Sequence, residues 1–427
     1  MNRLVWDGST PIRASDLPPE TRASGAPARV LFIHGRELGF GTTARSLQLF
    51  AADRPDIDAV HVSLPLPTWA KVVAKEPPRW LGGWDFHNTR MTWAFGRSVE
   101  QQVNKHLPLE RFDVVHIMTR ERATLVRAPW VRALGARRPR FVVNIDATLA
   151  AWDRAFAKWR PAPKFDYTTD KNILAAADAV ACASRWVMDS ANADYGLREQ
   201  KYILHMPCAP SEVGATVRAP DARTRRAATR GGDAHAGHEP LRIVFIGNDF
   251  TRKGGDRLLG WHQSRWKDRV EIHICSGDSM TERWRGVPGV TLHGRVEHAR
   301  LVRELLPSMD LCVIPTWEDT FLIAAQEAQA AGLPVVSSRL AGIPEVVADG
   351  RTGTLCERAD DRAFITAIER YLDDAALLER QSRAAAERAG PRGELDARKW
   401  HTHLLDQLAA LADNRSPACL PAGVSAA

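Results

Sequence analysis

The residues best suited to chemistry in this 427-residue chain lie in its second half. The segment Leu311 to Gly353 reads as a buried strand ending at Pro315, a polar turn from Thr316 to Thr320, and a helix beginning near Phe321. Such a junction places unsatisfied helix N–H groups at the carboxyl edge of a strand, where a phosphate is well received. Asp319 and Thr320 occupy the turn and either cap the helix or face a ligand. Glu327 falls about two turns into the helix, beside the small residues Ala324, Ala325 and Ala328, which let a ligand or a sheet approach. Upstream, a strand from Arg242 to Gly247 leads into Asn248, and Arg252 and Lys253 precede Gly254 and Gly255. Two adjacent cations beside a flexible turn and a helix start suit a diphosphate. A basic loop alone is only solubilising; beside the first segment it gains meaning.

Together these segments resemble the signature of retaining glycosyltransferases of family 4 (glycosyltransferase group 1). That family carries an acid, seven residues, Glu–Ala, then Gly–x–Pro–Val–Val and Gly–x–x–Glu. The matching residues here are Asp319, Glu327–Ala328, Gly332 to Val336, and Gly342–Ile343–Pro344–Glu345. The resemblance implies that Asp319 contacts the donor sugar, Glu327 the ribose hydroxyls, and Lys253 with Arg252 the diphosphate. Asn248 stands where the family often has arginine. Val296, in Gly294–Arg295–Val296, would lie near the nucleobase, and Thr320 and Phe321 would complete the donor site. Gly39 and Gly41, in the loop after the first strand, would face the donor phosphates, although plain turn geometry explains loop glycines equally well. His116 and Asp146 sit near strand ends similar to the family's and are the acceptor-side or sugar-side candidates; capping is the competing role for Asp146. One departure is Leu322, where the family has glycine. Its side chain either crowds the donor or points into the helix packing.

The implied activity is metal-independent, hexosyltransferase-type transfer with retention, in bacterial cell-surface polysaccharide or glycoconjugate synthesis. Its partners would be a nucleotide-sugar donor and a glycan, lipid-linked or small-molecule acceptor. No cofactor and no metal are expected: Asp56–Ile57–Asp58 precedes a strand instead of ending one, unlike a metal-binding acid pair. The competing readings are a catalytically silent nucleotide-sugar-binding protein, a sugar-nucleotide epimerase and a phosphorylase.

Positioning these residues requires two α/β units. Apolar strand-like runs alternate with amphipathic stretches from Arg29 to Met206, and again from Arg242 onward, as in parallel sheets covered by helices. Ligands of such sheets bind beyond the carboxyl ends of the strands. The fold class expected is α/β, GT-B, with two Rossmann-like doubly wound domains facing a central cleft. Expected boundaries are 1–28 for an irregular extension, 29–210 for an acceptor-side domain and 211–240 for a basic linker. A donor domain then covers 241–385, C-terminal helices 386–415 pack back on the first domain, and a frayed tail covers 416–427. The tryptophans Trp69, Trp80, Trp84 and Trp93 stack on a glycan or fill an interface.

Composition agrees with a folded chain. The net charge of +7 is modest and partly gathered in Ser211 to Pro240, whose arginines read as a solvated linker or as weak attraction to an anionic membrane. No aromatic residue interleaves them, so nucleic acid is not an expected partner. The six cysteines have no metal or redox spacing, and no apolar run approaches membrane-spanning length. A cytoplasmic protein, peripheral at most at the inner face of the membrane, is the expectation.

Overall fold

The computed structural model describes residues 2–7, 12–35, 40–75, 87–156, 162–198, 201–207 and 240–421. It divides into two compact units: Met1–Pro207 with Arg398–Ala427, and Cys208–Ala397.

The first unit is built on a seven-stranded sheet, wholly parallel in its pairings. Its strands are β1 (Asn2–Trp6), β2 (Ala28–His34), β3 (Ile57–Ser63), β4 (Val114–Met118), β5 (Arg140–Ile145), β6 (Ala179–Cys182) and β7 (Tyr202–Leu204). The order is β1-β3-β2-β4-β5-β6-β7. Every residue of β2 and β4 is buried, as expected where helices cover both faces of a parallel sheet and the strands are therefore apolar throughout. From β2 the chain moves to β3 on one side and then to β4 on the other. The switch point of this sheet therefore lies between β2 and β4.

Two expectations for the chain ends are corrected. Residues 2–6 are not irregular: the apolar Leu4, Val5 and Trp6 add an edge strand, paired with β3 from Leu4↔Val60 to Trp6↔Val62. The tail is tied down at Cys419, whose carbonyl accepts the Leu204 N–H at 2.8 Å. Between them, the helix Ala397–Ala412 packs on the first unit. Asp406 pairs with Arg54 at 2.7 Å, and the His401 ring stacks on Phe50 at 5.1 Å. The preceding helix, Ala375–Ala389, stays with the second unit, where Arg388 donates to the carbonyl of Glu345 at 2.8 Å. Gly39, Trp80, Trp84 and nearly all of the basic 211–240 segment lie outside the described residues.

The second unit carries a six-stranded parallel sheet: β8 (Leu241–Ile246), β9 (Val270–Cys275), β10 (Val290–Gly294), β11 (Leu311–Ile314), β12 (Val335–Ser338) and β13 (Gly353–Cys356). The order β10-β9-β8-β11-β12-β13 puts its switch point between β8 and β11. These are the two strands whose following loops carry the adjacent cations and the acid. Cys182, Cys275, Cys312 and Cys356 are buried free thiols in these sheets.

Candidate active site

The loop after β8 is shaped by glycines. A Cβ on Gly254, whose φ is +80°, would lie 2.2 Å from the Pro315 carbonyl oxygen; one on Gly247 would press on the Lys253 stem at 2.9 Å. These contacts bring the β8 loop against the β11 loop and free space for the lysine. Hydrogen bonds then lock the two loops together: Trp317 N–H donates to the Arg252 carbonyl at 2.8 Å, and the Arg252 guanidinium donates to the Glu318 carbonyl.

Lys253 Nζ forms an ion pair with Asp319 Oδ2 across this junction. The other carboxylate oxygen, Oδ1, accepts the N–H groups of Phe321 at 3.2 Å and Leu322 at 3.1 Å. Asp319 is therefore a cap and an ion-pair partner at once. Burial alone would raise its pKa. The charge and hydrogen bond of Lys253, with help from Arg252 and Phe321 N–H, more than offset this and hold it below the ordinary carboxylate range. Arg252 is also paired, with Asp249 at 2.7 Å, so its guanidinium braces the loop while Lys253 holds the deeper position.

Two details of the sequence reading change here. The helix begins at Ile323, not Phe321, and the N–H groups expected to be open to a phosphate are already taken by Asp319. Leu322 has φ 59° and ψ 66°, a left-handed conformation that glycine adopts freely and leucine does not. A glycine is at home at this position because of its backbone, and the Leu322 side chain is 2% exposed. It belongs to the packing.

Leu322→Gly should therefore leave donor selectivity unchanged. Relief of about 1–2 kcal/mol of left-handed strain opposes the roughly 2–5 kcal/mol typical of deleting a buried leucine. A net loss of stability, read as a lower Tm, is expected. A broadened donor profile would place the side chain against the donor after all.

Glu327 is buried on the same helix, and its Oε1 lies 2.9 Å from His298 Nε2. Val296, half-buried, stands two residues before that histidine in the turn after β10. His298 belongs to no motif, and its place as a polar residue just beyond the Gly294–Arg295–Val296 turn is its only sequence signal. Exposed Asn248 accepts the Gly277 N–H at 3.2 Å, tying the β8 loop to the β9 loop. Thr320 and Phe321 are buried; Thr320 serves through its carbonyl, which accepts Gly342 N–H at 2.9 Å. Asp319, Lys253, Arg252, Asn248, Val296, Thr320, Phe321, Leu322 and Glu327 thus all belong to the second unit, on or just after the carboxyl ends of its parallel strands.

The candidates of the first unit fare differently. Gly41 is exposed in the first turn of the helix Phe40–Ala52. Asp146 is half-buried directly after β5. His116 is corrected: it lies in the middle of β4, fully buried against Phe32, with neither ring nitrogen hydrogen-bonded. A substrate has no route to it. Among the described residues no group of three or more His, Cys, Asp or Glu side chains is arranged to hold a metal ion.

Residues 240–374 match the family model for glycosyl transferases group 1, and this stretch is a domain of that family. Curated relatives include a glycogen synthase of Mycobacterium tuberculosis, 38% identical over 35% of this chain and 38% of its own. A D-inositol 3-phosphate glycosyltransferase of Streptomyces avermitilis is 44% identical over 18% of this chain and 17% of its own. The chain thus spans well under half the length of these relatives. In fold, the chain resembles a sucrose-phosphate synthase from Thermosynechococcus elongatus, with TM-score 0.64 and 18% identity over 90% of this chain and 99% of the other. It also resembles HepE of Anabaena in complex with UDP, with TM-score 0.63 and 14% identity over 90% and 100%. Two Rossmann-like α/β units of the GT-B class are the fold of this chain.

Proposed function

We propose that the chain is a retaining, metal-independent hexosyltransferase that moves a sugar from a nucleotide-sugar donor, held by the second unit, to a glycan, lipid-linked or small-molecule acceptor. Its setting would be bacterial cell-surface polysaccharide or glycoconjugate synthesis on the cytoplasmic side, peripheral to the membrane where the acceptor is lipid-linked. No described helix is long and apolar enough to cross a membrane. The observation that carries the reading is the Lys253–Asp319 ion pair, which joins the two loops at the β8–β11 switch point inside a glycosyl transferases group 1 domain.

In this reading the nucleoside diphosphate leaves with the bonding electrons, and negative charge grows on its phosphate oxygens. Lys253 has three N–H donors and uses part of that capacity on Asp319, so it can also take a phosphate oxygen. Arg252 adds positive potential from its braced position. Asp319 lies beside the same lysine, where a carboxylate can position the donor sugar as its anomeric carbon becomes cation-like. Glu327 accepts the ribose hydroxyls, and His298 fixes the orientation of that carboxylate.

Incubation with UDP-, ADP- and GDP-linked sugars in chelator, with nucleoside diphosphate release and product anomer followed by NMR, tests the proposal. An α-linked donor should give an α-linked product at an undiminished rate. Activity that disappears in chelator and returns only with magnesium or manganese would defeat the metal-independent part. A β-linked product would defeat retention. Tight nucleotide binding without turnover on any acceptor would favour a silent binding protein.

A further inference from the structure

A cavity of about 240 Å³ lies wholly within the first unit. It sits on the carboxyl side of the sheet: Arg120 follows β4 through Thr119, and Leu149 follows β5. Thr119 is itself unusual. It is buried, with φ 86° and ψ 140°, a conformation that a β-branched residue adopts only under strain. Such strain persists where the surroundings enforce it, often beside a ligand site.

The charged side chains lining the cavity are Arg120, Asp166 and Asp170. The guanidinium is already balanced, 3.0 Å from Glu121 and 3.4 Å from Asp170. Asp166 is 6% exposed; one carboxylate oxygen accepts the Thr89 hydroxyl at 2.6 Å and the other has no hydrogen-bond partner. Asp170 takes the Leu149 N–H and the Tyr195 hydroxyl on one oxygen, and its second oxygen pairs with Arg120 at 3.4 Å, which leaves the Asp166 oxygen as the one without a donor. A buried carboxylate oxygen with no donor is costly, so the cavity asks for a ligand that supplies donors. One cation set against two lining carboxylates, and already paired with Glu121 outside the lining, makes it unfit for a phosphate. The remaining polar lining consists of neutral threonine and asparagine groups. Trp93, 57% exposed and held edge-on by Trp69 at 5.7 Å, offers an aromatic face at its margin.

We propose that this cavity binds a neutral polyhydroxylated ring, a monosaccharide or cyclitol unit, whose hydroxyls donate to Asp166 and Asp170 while Trp93 covers a ring face. Phosphorylated sugars are excluded from it by charge. That the bound ring is the acceptor end of the transfer rests on the reading under Proposed function; the binding itself does not.

The test uses the full chain, with methyl α-D-glucoside, myo-inositol and glucose 6-phosphate as probes in titration calorimetry and saturation-transfer NMR, and UDP as a separate ligand. At least one neutral probe should bind at millimolar concentration. Asp166→Asn keeps the shape but turns the unpartnered acceptor into a donor, and should weaken that binding by roughly tenfold to a hundredfold. Trp93→Ala, at an exposed position where folding is not at stake, should weaken it as well. Glucose 6-phosphate should bind more weakly than the neutral probes. Absence of binding by both neutral probes, unchanged affinity in both variants, or preference for the phosphorylated sugar would each overturn the proposal. UDP binding should be unaffected by either variant. Failure of the wild-type chain to bind UDP would count against the donor site alone, leaving the sugar titrations to decide this cavity.

Discussion

Lys253→Ala is expected to lower turnover at saturating donor by on the order of 10²- to 10³-fold, the usual consequence of losing one preorganised charge-stabilising donor. The reasoning rests on where charge changes during the reaction. Lys253 faces a phosphate whose negative charge grows as the glycosidic bond breaks, so its contribution is larger in the transition state than in the ground state. Glu327, gripping ribose hydroxyls that do not react, should contribute equally to both. Glu327→Gln should therefore raise the donor Kd while leaving saturating turnover within a few-fold of wild type.

The ion pair adds a structural consequence. Without Lys253, the largely buried Asp319 loses its main compensating charge, and burial then pushes its pKa upward. A carboxylate whose folded-state pKa is depressed contributes stability that is present above its unfolded pKa and lost as pH falls through the folded value. The variant, with that pKa raised, should instead be destabilised at neutral pH and regain part of the loss as pH falls and Asp319 takes up a proton. Lys253→Ala combined with Asp319→Asn removes the uncompensated charge, and should recover stability without recovering turnover. Calorimetric donor affinity and saturating rates measured on all variants check the assignment. Intact turnover in Lys253→Ala, with turnover abolished and affinity unchanged in Glu327→Gln, would reverse the two roles.

Much of this site was legible because its signals are local. Strands such as β5 and β9 are short apolar runs bounded by polar turns, and the observed spans Arg140–Ile145 and Val270–Cys275 are those the pattern dictates. Ser184 caps the helix Arg185–Tyr195 by accepting the Val187 N–H, as a serine after a buried strand should. What escaped the sequence is decided by partners distant along the chain. The five residues of β1 hold only the three-residue apolar run Leu4–Trp6, too short to mark a strand by itself, and become one because β3 offers a free edge. The helix start shifted from Phe321 to Ile323 because Asp319 captures two N–H groups and Leu322 turns left-handed, which composition does not reveal. His298 is unremarkable until β10 brings it to Glu327. His116 looked like a strand-end polar group, and only the register of β4 against β2 shows that it is core.

That core position leads to the other large expected effect: the first unit should unfold in mild acid, well before the second. Several histidines are buried across its sheet. His34 and His61 share a hydrogen bond of 2.8 Å; His205 and His401 share one of 2.9 Å; Phe32 stacks on His61 and tilts against His116. His34, His61, His116, His205 and His401 are all fully buried. Burial, reinforced by His116, pushes the pKa of His61 down to about 3, and burial alone does the same for His116. His34 and His205 are lowered by burial and then by their neighbouring histidines. A histidine in the unfolded chain titrates near 6.5, so below that pH the unfolded state binds more protons than the folded one. Stability should be level above about pH 6.5 and fall as pH drops toward the folded values. Each fully shielded histidine contributes up to about 1.4 kcal/mol per pH unit. Two of them, two units below 6.5, already cost about 5 kcal/mol, comparable with the whole stability of many domains. In the second unit His262 is buried but its ring reaches the Pro288 carbonyl at 3.2 Å, which favours its protonated form, and His273 and His293 are only half-buried, so that unit should resist longer. Hydrogen exchange on the full chain between pH 7.5 and 4.5 should show strands β2 to β5 losing protection first. His116→Leu supplies the decisive control. Neither ring nitrogen of His116 has a hydrogen-bond partner, so an apolar side chain of similar volume should be close to neutral at pH 7.5. It should nevertheless remove one proton from the acid transition and flatten its slope. If stability stays constant from pH 7 to 5, or if the variant shows the same slope as wild type, the buried histidines are not what makes this unit acid-labile.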